Sequence, residues 1–308
     1  MLIIYICHFK KGLILLSAFR SKLTLRRREA LTGLAFAALP LAGFSVFYIV
    51  PFGITIWRTL SDYGGTHFVG LTNYVNVFGS NAFQLAVGNT LKFITLGVVC
   101  LLVLSLAIAL LLNKGLKGTD SFRATYILPL VLPTASVIMV FRILFDNGGI
   151  INYVLSNLGL HSVDFLYSGN TFWVLLLLYI WKNIGYGIIL MVSGLTQIPK
   201  EYYEAAKVDG AGGFYRLWKI TLPLLSPTIM FATLFAIMFA FKAFREAYAL
   251  AGDYPDNSIY MLQHFMSNNF AHLNYTRLSV AAVMTFLVIV GIVWLLFWRK
   301  FREGADVN

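Results

Sequence analysis

Charged side chains inside long apolar segments are the residues of this chain best able to do chemistry. Lys182 lies near the middle of one apolar segment, and Lys242, Arg245 and Glu246 lie at the end of another. Because a charge is costly in hydrocarbon, such residues usually face protein or a water-filled path, so each is a candidate contact for a passing solute. No acid-base or metal constellation converges on them, which favours recognition of a solute over catalysis.

The candidate pathway residues share a polar or aromatic group and a position inside or beside an apolar segment. Asn183 and Tyr186 lie on turns next to Lys182 and could hydrogen-bond solute hydroxyls, while Trp181 could stack on a ring face. Two other interpretations stay open: Lys182 pairs with a neighbouring subunit or a carbonyl, and Lys242 pairs with Glu246 along one helical face. The full set is Trp181, Lys182, Asn183, Tyr186, Arg142, Lys242, Arg245 and Glu246.

Other chemistries lack the residues they require. The chain has no Gly-x-x-x-x-Gly-Lys-Ser/Thr loop, so it is not expected to bind a nucleotide cofactor itself. Its 5 histidines and 2 cysteines follow no metal-ligand spacing, so no metal site is predicted. The net charge of +11 collects where apolar segments end rather than on one face, which argues against nucleic acid as a partner.

The composition requires an apolar solvent around most of the chain. Of its 308 residues, 59% are hydrophobic and 12% are charged. About 20 apolar residues in a helix cross the roughly 30 Å hydrocarbon core, with the backbone polar groups satisfied inside the helix. Six segments meet that requirement and predict an all-α, polytopic membrane protein: 31–57, 93–112, 124–141, 172–195, 222–241 and 278–298.

Basic residues in the connections orient these spans. The N-terminal arm, the second and fourth connections and the C-terminal tail hold most of the lysines and arginines, whereas the opposite connections offer chiefly Arg58 and Arg277. Because cytoplasmic loops retain positive charge, both termini are predicted to be cytoplasmic, in a multi-pass protein of the cell (inner or cytoplasmic) membrane. The predicted organisation is a basic arm at 1–30, a six-span domain at 31–298 and a tail at 299–308.

The connection between the fourth and fifth spans, residues 196–223, has its own helix signals. Pro199 suits the first turn of a helix because proline lacks an N–H that would be unpaired there, and Gly210 supplies a C-terminal stop. A second short helix is predicted from Phe214 until Leu222-Pro223 turns the chain into the membrane. The sequence therefore predicts a helix, a glycine turn and a second helix.

The spacing within this loop resembles the EAA signature of ABC-importer permeases. That signature is Glu-Ala-Ala, three residues, Gly, nine residues, Ile, one residue and Leu-Pro, and every position matches. Segments 69–74, 128–152 and 181–194 are similar to the maltose-type sugar permeases, although Arg245-Glu246 stands where that family usually has Phe-Asp. The coupling residues that the resemblance implies are Glu204, Ala205, Ala206, Asp209, Gly210, Ile220, Leu222 and Pro223.

The resemblance implies a type I ABC importer permease fold and a transport function. This chain would line part of a sugar pathway with alternating access, and the loop would dock on separate ATPase subunits. The implied partners are a second homologous permease subunit, two ATP-binding subunits that hold ATP and Mg²⁺, an extracellular solute-binding protein, a sugar substrate and membrane lipid. The sugar stays open, and the basic residues within the spans allow an acidic or an acetamido sugar.

Three alternatives belong to other classes. An ion-coupled secondary carrier would be expected to show inverted repeats and buried acidic relays, and neither appears in the sequence. A membrane enzyme would need a convergent acid-base or metal constellation. The third alternative is an ABC permease for a non-sugar solute such as a peptide, amino acid or polyamine, which the EAA signature alone would permit.

Overall fold

A computed structural model describes residues 25–113 and 119–305. Most of the predicted basic arm, the lysines at 114 and 117 and the last three residues of the tail lie outside these ranges. Within the described residues the chain is helical, apart from connecting segments and one isolated antiparallel bridge between Ser61 and Phe68. The predicted all-α fold is confirmed.

Cα packing divides the chain into two units between Arg58 and Thr59. The first unit holds helix α1 (Leu25–Phe44), a π-helical segment (Ser45–Ile49) and most of helix α2 (Val50–Leu60). Pro51 follows this π segment closely. Since proline lacks an N–H and its ring crowds the carbonyl four residues earlier, a locally widened turn accommodates it without ending the helix.

The second unit holds the remaining helices in a bundle with short surface helices. The bounds of α3 to α8 are Thr72–Phe78, Asn81–Leu112, Thr119–Val131, Thr134–Phe145, Ile150–Asn157 and Thr171–Thr196. Those of α9 to α14 are Lys200–Val208, Gly213–Arg216, Leu222–Lys242, Phe244–Ala251, Leu262–Ala271 and Tyr275–Ala305. A second π segment, Leu217–Thr221, joins α10 to α11.

Six helical segments of the described chain are long and apolar enough to cross a membrane, which confirms the predicted number of spans. The third span differs from its prediction at 124–141, because the helix is interrupted at Leu132-Pro133, between α5 and α6. The ring of a proline disfavours helical geometry in the residue before it. The observed spans are Thr32–Leu60, Asn81–Leu112, Thr134–Asn157, Thr171–Thr196, Gly213–Ala251 and Tyr275–Trp298.

Helix α8 forms the centre of the second unit. Tyr179 is fully buried among Phe93 of α4 and Phe172, and its hydroxyl donates to the Ala236 carbonyl of α11 at 2.8 Å. Gly185 faces the backbone of α5 so closely that an added Cβ would collide with the Tyr126 carbonyl. Small residues let helices approach in this way inside membranes. The helix is thereby held against α4, α5 and α11 at once.

Two short helices of the second unit are α3 and α7. Each is anchored by an asparagine side chain. The Asn73 amide donates to the carbonyls of Thr59 and Ser61, and the Asn152 amide donates to the carbonyl of Val163 at 2.9 Å. Because these amides satisfy carbonyls at the end of α2 and in irregular segments, they fix the connections to the bundle.

Candidate coupling and substrate sites

The connection between α8 and α11 forms an exposed bend, named here the elbow and comprising residues 199–218. Helix α9 begins directly after Pro199, which therefore lies at the N-cap, one position earlier than the predicted first turn. The helix ends in a left-handed residue, Gly210, with a φ of 78°. The N–H of Gly210 donates to the Lys207 carbonyl and that of Ala211 to the Ala206 carbonyl. These two bonds are a Schellman cap, which confirms the predicted glycine stop.

The second half of the elbow differs from its prediction. The helix does not end at Leu222-Pro223; it runs from α10 through the π segment Leu217–Thr221 into α11. Pro223 lies in the first turn of α11. As at Pro51, the widened turn makes room for the proline ring, so the helix continues although proline donates no hydrogen bond. The elbow is therefore continuous with the fifth span.

Two contacts tie α9 to the bundle. The Tyr203 hydroxyl lies 3.0 Å from the hydroxyl of Thr221, at the end of the π segment. Just before the elbow, Ile198 is buried with Leu195 of α8 and Leu225 of α11. These contacts join the elbow to both α8 and α11.

The solvent-exposed side of the elbow carries acidic and apolar groups together. Glu204 and Ala205 are exposed. Val208 is 89% exposed and Phe214 is 76% exposed, and the Phe214 ring lies 6.0 Å from the ring of exposed Trp218. Contiguous exposed apolar side chains mark interaction surfaces. Of the other predicted coupling residues, Asp209 and Pro223 are exposed, whereas Ala206, Ile220 and Leu222 are half-buried.

A separate cavity of about 150 Å³ lies between α8, α11 and α12. It brings together five of the predicted pathway residues, which are Lys182, Asn183, Lys242, Arg245 and Glu246. The remainder of its wall is mostly apolar and includes Leu130, Leu178, Tyr179, Phe239 and Ala243. The cavity therefore combines charges with an apolar surface.

A buried ion pair forms one wall of this cavity. Lys182 Nζ lies 2.5 Å from Glu246 Oε1, with the two side chains 12% and 7% exposed. Lys182 also donates to the Thr134 hydroxyl at 3.0 Å. These bonds join α8, α12 and the start of α6. The pairing of Glu246 with Lys182 replaces the pairing with Lys242 considered from the sequence, because the helix breaks at Ala243 between those two residues.

The other predicted pathway residues lie away from the cavity. The Arg142 guanidinium donates to the carbonyls of Ala249 and Leu250 at 3.2 and 2.8 Å, at the C-terminal end of α12. A cation is favourable there because the last carbonyls of a helix lack intrahelical partners. The Trp181 ring packs on Phe141, and the Tyr186 ring packs on Phe235 and Phe239. None of the three residues lines the cavity.

Sequence reasoning missed Thr134 and Tyr179. Thr134 follows Pro133 and becomes available only because the third span is broken there, so the proline was the one signal that could have indicated it. Tyr179 lies one helical turn before Asn183, whose amide donates to its carbonyl at 2.8 Å. Within the described residues, no group of three or more His, Cys, Asp or Glu could hold a metal ion.

A buried histidine supports the start of α12. The ring of Phe244, the first residue of α12, lies 4.8 Å from and edge-on to the ring of His264 in α13. His264 Nδ1 accepts a hydrogen bond from the Met261 N–H at 3.1 Å. Burial disfavours the charged imidazolium and lowers the pKa of His264 to about 4. The neutral ring is therefore part of the packing that positions Arg245 and Glu246.

Comparison with known proteins agrees with this architecture. Over 286 residues the chain is 31% identical to the probable ABC transporter permease protein YesP of Bacillus subtilis, covering 89% of this chain and 91% of the relative. Over 287 residues it is 30% identical to the trehalose/maltose transport system permease protein MalF of Thermococcus litoralis, covering 91% and 97%. Among solved structures, a bacterial ABC transporter involved in the import of the acidic polysaccharide alginate matches with a TM-score of 0.77 at 21% identity, covering 90% of this chain and 98% of that chain.

Six membrane-spanning helices, a charged cavity within them and an exposed elbow define a multi-pass transport permease with the fold of the ABC importer permeases. Residues 101–302 match the family described as the binding-protein-dependent transport system inner membrane component. The chain belongs to this family.

Proposed function

We propose that this chain is the permease subunit of an ATP-driven, binding-protein-dependent sugar importer of the cell membrane, with both termini in the cytoplasm. Its relatives include a trehalose/maltose permease, which supports a saccharide as the substrate. The observation that carries the proposal is the elbow. Its capped helix places Glu204 and Ala205 at the surface beside exposed apolar side chains, in a loop that matches the family signature at every position.

The elbow would transmit the work of two separate ATP-binding subunits, which hold ATP and Mg²⁺. Glu204 offers a carboxylate to a basic group of such a subunit, and Ala205 allows a close approach of the helix. Val208 and Phe214 offer apolar surface that a partner cleft would bury. Movement of α9 would then reach α8 and α11 through Tyr203 and Ile198, and would open the pathway alternately to the two sides of the membrane.

One chain of six spans encloses only part of a pathway. A second, homologous permease subunit would complete it, and an extracellular solute-binding protein would deliver the sugar. The cavity between α8 and α12 is the proposed contribution of this chain to the substrate site, because polar groups converge there on a small apolar wall. The solute would enter it only in one of the two access states.

The test is a matched pair of substitutions in the elbow. Glu204→Ala and Glu201→Ala remove the same charge from the same exposed helix, but only Glu204 occupies the signature position. In the purified complex in lipid nanodiscs, we expect Glu204→Ala to abolish most of the ATP hydrolysis that the binding protein stimulates, while Glu201→Ala retains it. Size-exclusion chromatography would check that both complexes assemble.

The proposal is wrong if Glu204→Ala leaves stimulated ATP hydrolysis and uptake intact in an assembled complex. An ion-coupled carrier would behave differently again. Its uptake in vesicles would survive ATP depletion and collapse when a protonophore is added, whereas the proposed importer would show the reverse.

A further inference from the structure

The charges around the cavity do not balance. Its lining contains three cations, Lys182, Lys242 and Arg245, and one carboxylate, Glu246. Lys182 is the cation that pairs with that carboxylate. Among the described residues, no carboxylate forms an ion pair with Lys242 or Arg245. Within the described residues, the cavity therefore presents two positive charges of the fifth span, Gly213–Ala251, that no carboxylate of the chain pairs with.

The two unmatched cations also share one side of their segment. Lys242 and Arg245 are three residues apart and exposed, whereas Ala243 and Glu246 are buried. Both cations line the cavity, so an incoming group could contact them together. Cations inside spans are costly unless water or an opposite charge compensates them. An anionic solute would supply that charge when the pathway closes around it.

The buried ion pair makes the same wall compatible with an anion. An isolated Glu246 carboxylate beside Arg245 would repel an acidic solute. Lys182 cancels that charge, and the Thr134 hydroxyl contributes a second bond to the same lysine. The cavity of about 150 Å³ corresponds to roughly five water volumes. It has room for one anionic group and part of the ring that carries it.

We propose that this cavity binds a saccharide through an anionic group, a uronate carboxylate or a sugar phosphate, held between Lys242 and Arg245. The guanidinium can bind two oxygens of either group at once, and the ammonium adds a point charge. The inference rests on the proposed function and deepens it by naming the charge of the substrate. A neutral saccharide would leave both cations uncompensated.

The test is direct binding to the permease subunits assembled with their ATP-binding subunits in lipid nanodiscs, without the solute-binding protein, measured by calorimetric titration without nucleotide. Three probes separate the sources of charge: digalacturonate, glucose 6-phosphate and maltose. We expect one of the anionic probes to bind at least about tenfold more tightly than maltose, and its advantage to shrink at high salt. The preferred anionic probe distinguishes carboxylate from phosphate.

Three variants assign the effect to the cavity. The double substitution K242Q/R245Q should weaken binding of the anionic probe by about tenfold or more and so remove most of its advantage over maltose. The charge-retaining K242R/R245K should keep most of the affinity. Arg277→Gln, which removes an exposed cation outside the cavity, is the matched control.

The inference is overturned if maltose binds as tightly as both anions, or if an assembled K242Q/R245Q complex keeps the affinity of the wild type for the anion. Should that double variant fail to assemble, the comparison of the three probes on the wild-type complex still decides the question. Failure of the proposed function would be visible separately, as ATP hydrolysis that does not respond to the binding protein.

Discussion

The elbow and the cavity are built in opposite ways. The elbow is contiguous in sequence, exposed, and shaped by local bonds such as that between Ala211 and Ala206. The cavity is assembled from three segments, since Lys182 contacts residues that lie 48 and 64 positions away. A surface that serves a partner can be specified locally, whereas a solute site inside a bundle depends on the packing of the whole unit. Changes in the elbow should therefore uncouple ATP hydrolysis from transport, and changes around the cavity should lower the stability of the protein.

The largest effect is expected from Glu246→Gln. This change leaves the Lys182 ammonium buried without its counter-charge, and breaking a buried pair in this way costs about 3–5 kcal/mol. Glu201→Gln makes the same chemical change on the exposed elbow and should cost less than about 0.5 kcal/mol. Thermal unfolding of the two complexes in nanodiscs would measure the difference.

A double variant sharpens this result. In K182M/E246L both charges are replaced by apolar groups, so most of the lost stability should return, because no uncompensated charge is left buried. Equal unfolding temperatures for Glu246→Gln and Glu201→Gln would show that the ion pair does not stabilise the cavity wall, and the contrast between the two regions would then be wrong.

The next effect is expected from Gly185→Ala, on the same helix as Lys182. The added Cβ would meet the Tyr126 carbonyl of α5, and backbone cannot give way as a flexible side chain can. Overpacking of this kind costs about 1–3 kcal/mol. Gly291→Ala in α14 adds the same methyl group where nothing lies within 4 Å, so its unfolding temperature should be no lower than that of the wild type.

The same contrast explains what could be predicted from the sequence. Hydropathy indicated six spans because length and polarity are local properties, and spacing indicated the capped helix of the elbow for the same reason. The break at Pro133 was missed because the apolar pattern continues through it, although the proline itself was visible. The continuous helix through Leu217–Thr221 was missed because a proline is compatible with two structures. The chain can form a π-helical turn and remain helical, as it does here, or it can leave the helix in a loop.

The cavity could be predicted only in part. A charge inside an apolar segment indicated Lys182, and the cluster after the fifth span indicated Arg245 and Glu246. Which of them pair is decided by the packing of α8 against α12, and a spacing of four residues suggested the wrong partner for Glu246. Arg142, like Arg245, is an arginine near the end of a predicted span, yet it hydrogen-bonds the last carbonyls of α12. That role depends on where α12 ends, which the sequence pattern does not give.

Gly210→Ala is expected to have a smaller effect on stability and a larger effect on the ATP hydrolysis that the binding protein stimulates. The φ of 78° places this residue in the left-handed region, where a side chain costs roughly 1–2 kcal/mol. Gly212→Ala is the matched control, because Gly212 has no positive φ and nothing lies within 4 Å of an added Cβ. Trypsin cleavage after Lys207 should become faster only in Gly210→Ala. Its complex should assemble but lose stimulated ATP hydrolysis; if the two variants behave alike, the cap does not position the elbow.

The smallest effect is expected from protonation of His264, which tests whether the cavity depends on packing that the elbow does not share. Its pKa is about 4 when folded and near 6.5 when unfolded, so the unfolded chain binds the extra proton between these values. The stabilisation is therefore complete above the unfolded pKa and is lost as the pH falls through the range between them. From about pH 7.5 to about pH 5.5 the loss should be about 1 kcal/mol.

The unfolding temperature of the wild type should fall over this pH range. It should change less in His264→Gln, whose side-chain oxygen can still accept a hydrogen bond from the Met261 N–H. Trypsin cleavage after Lys207, compared over the same pH range against the cleavage rate of an unstructured reference peptide, should not change, because among the described residues no hydrogen bond or ring contact joins the elbow to α13. An unfolding temperature that falls equally in both proteins would instead assign the pH dependence to other groups.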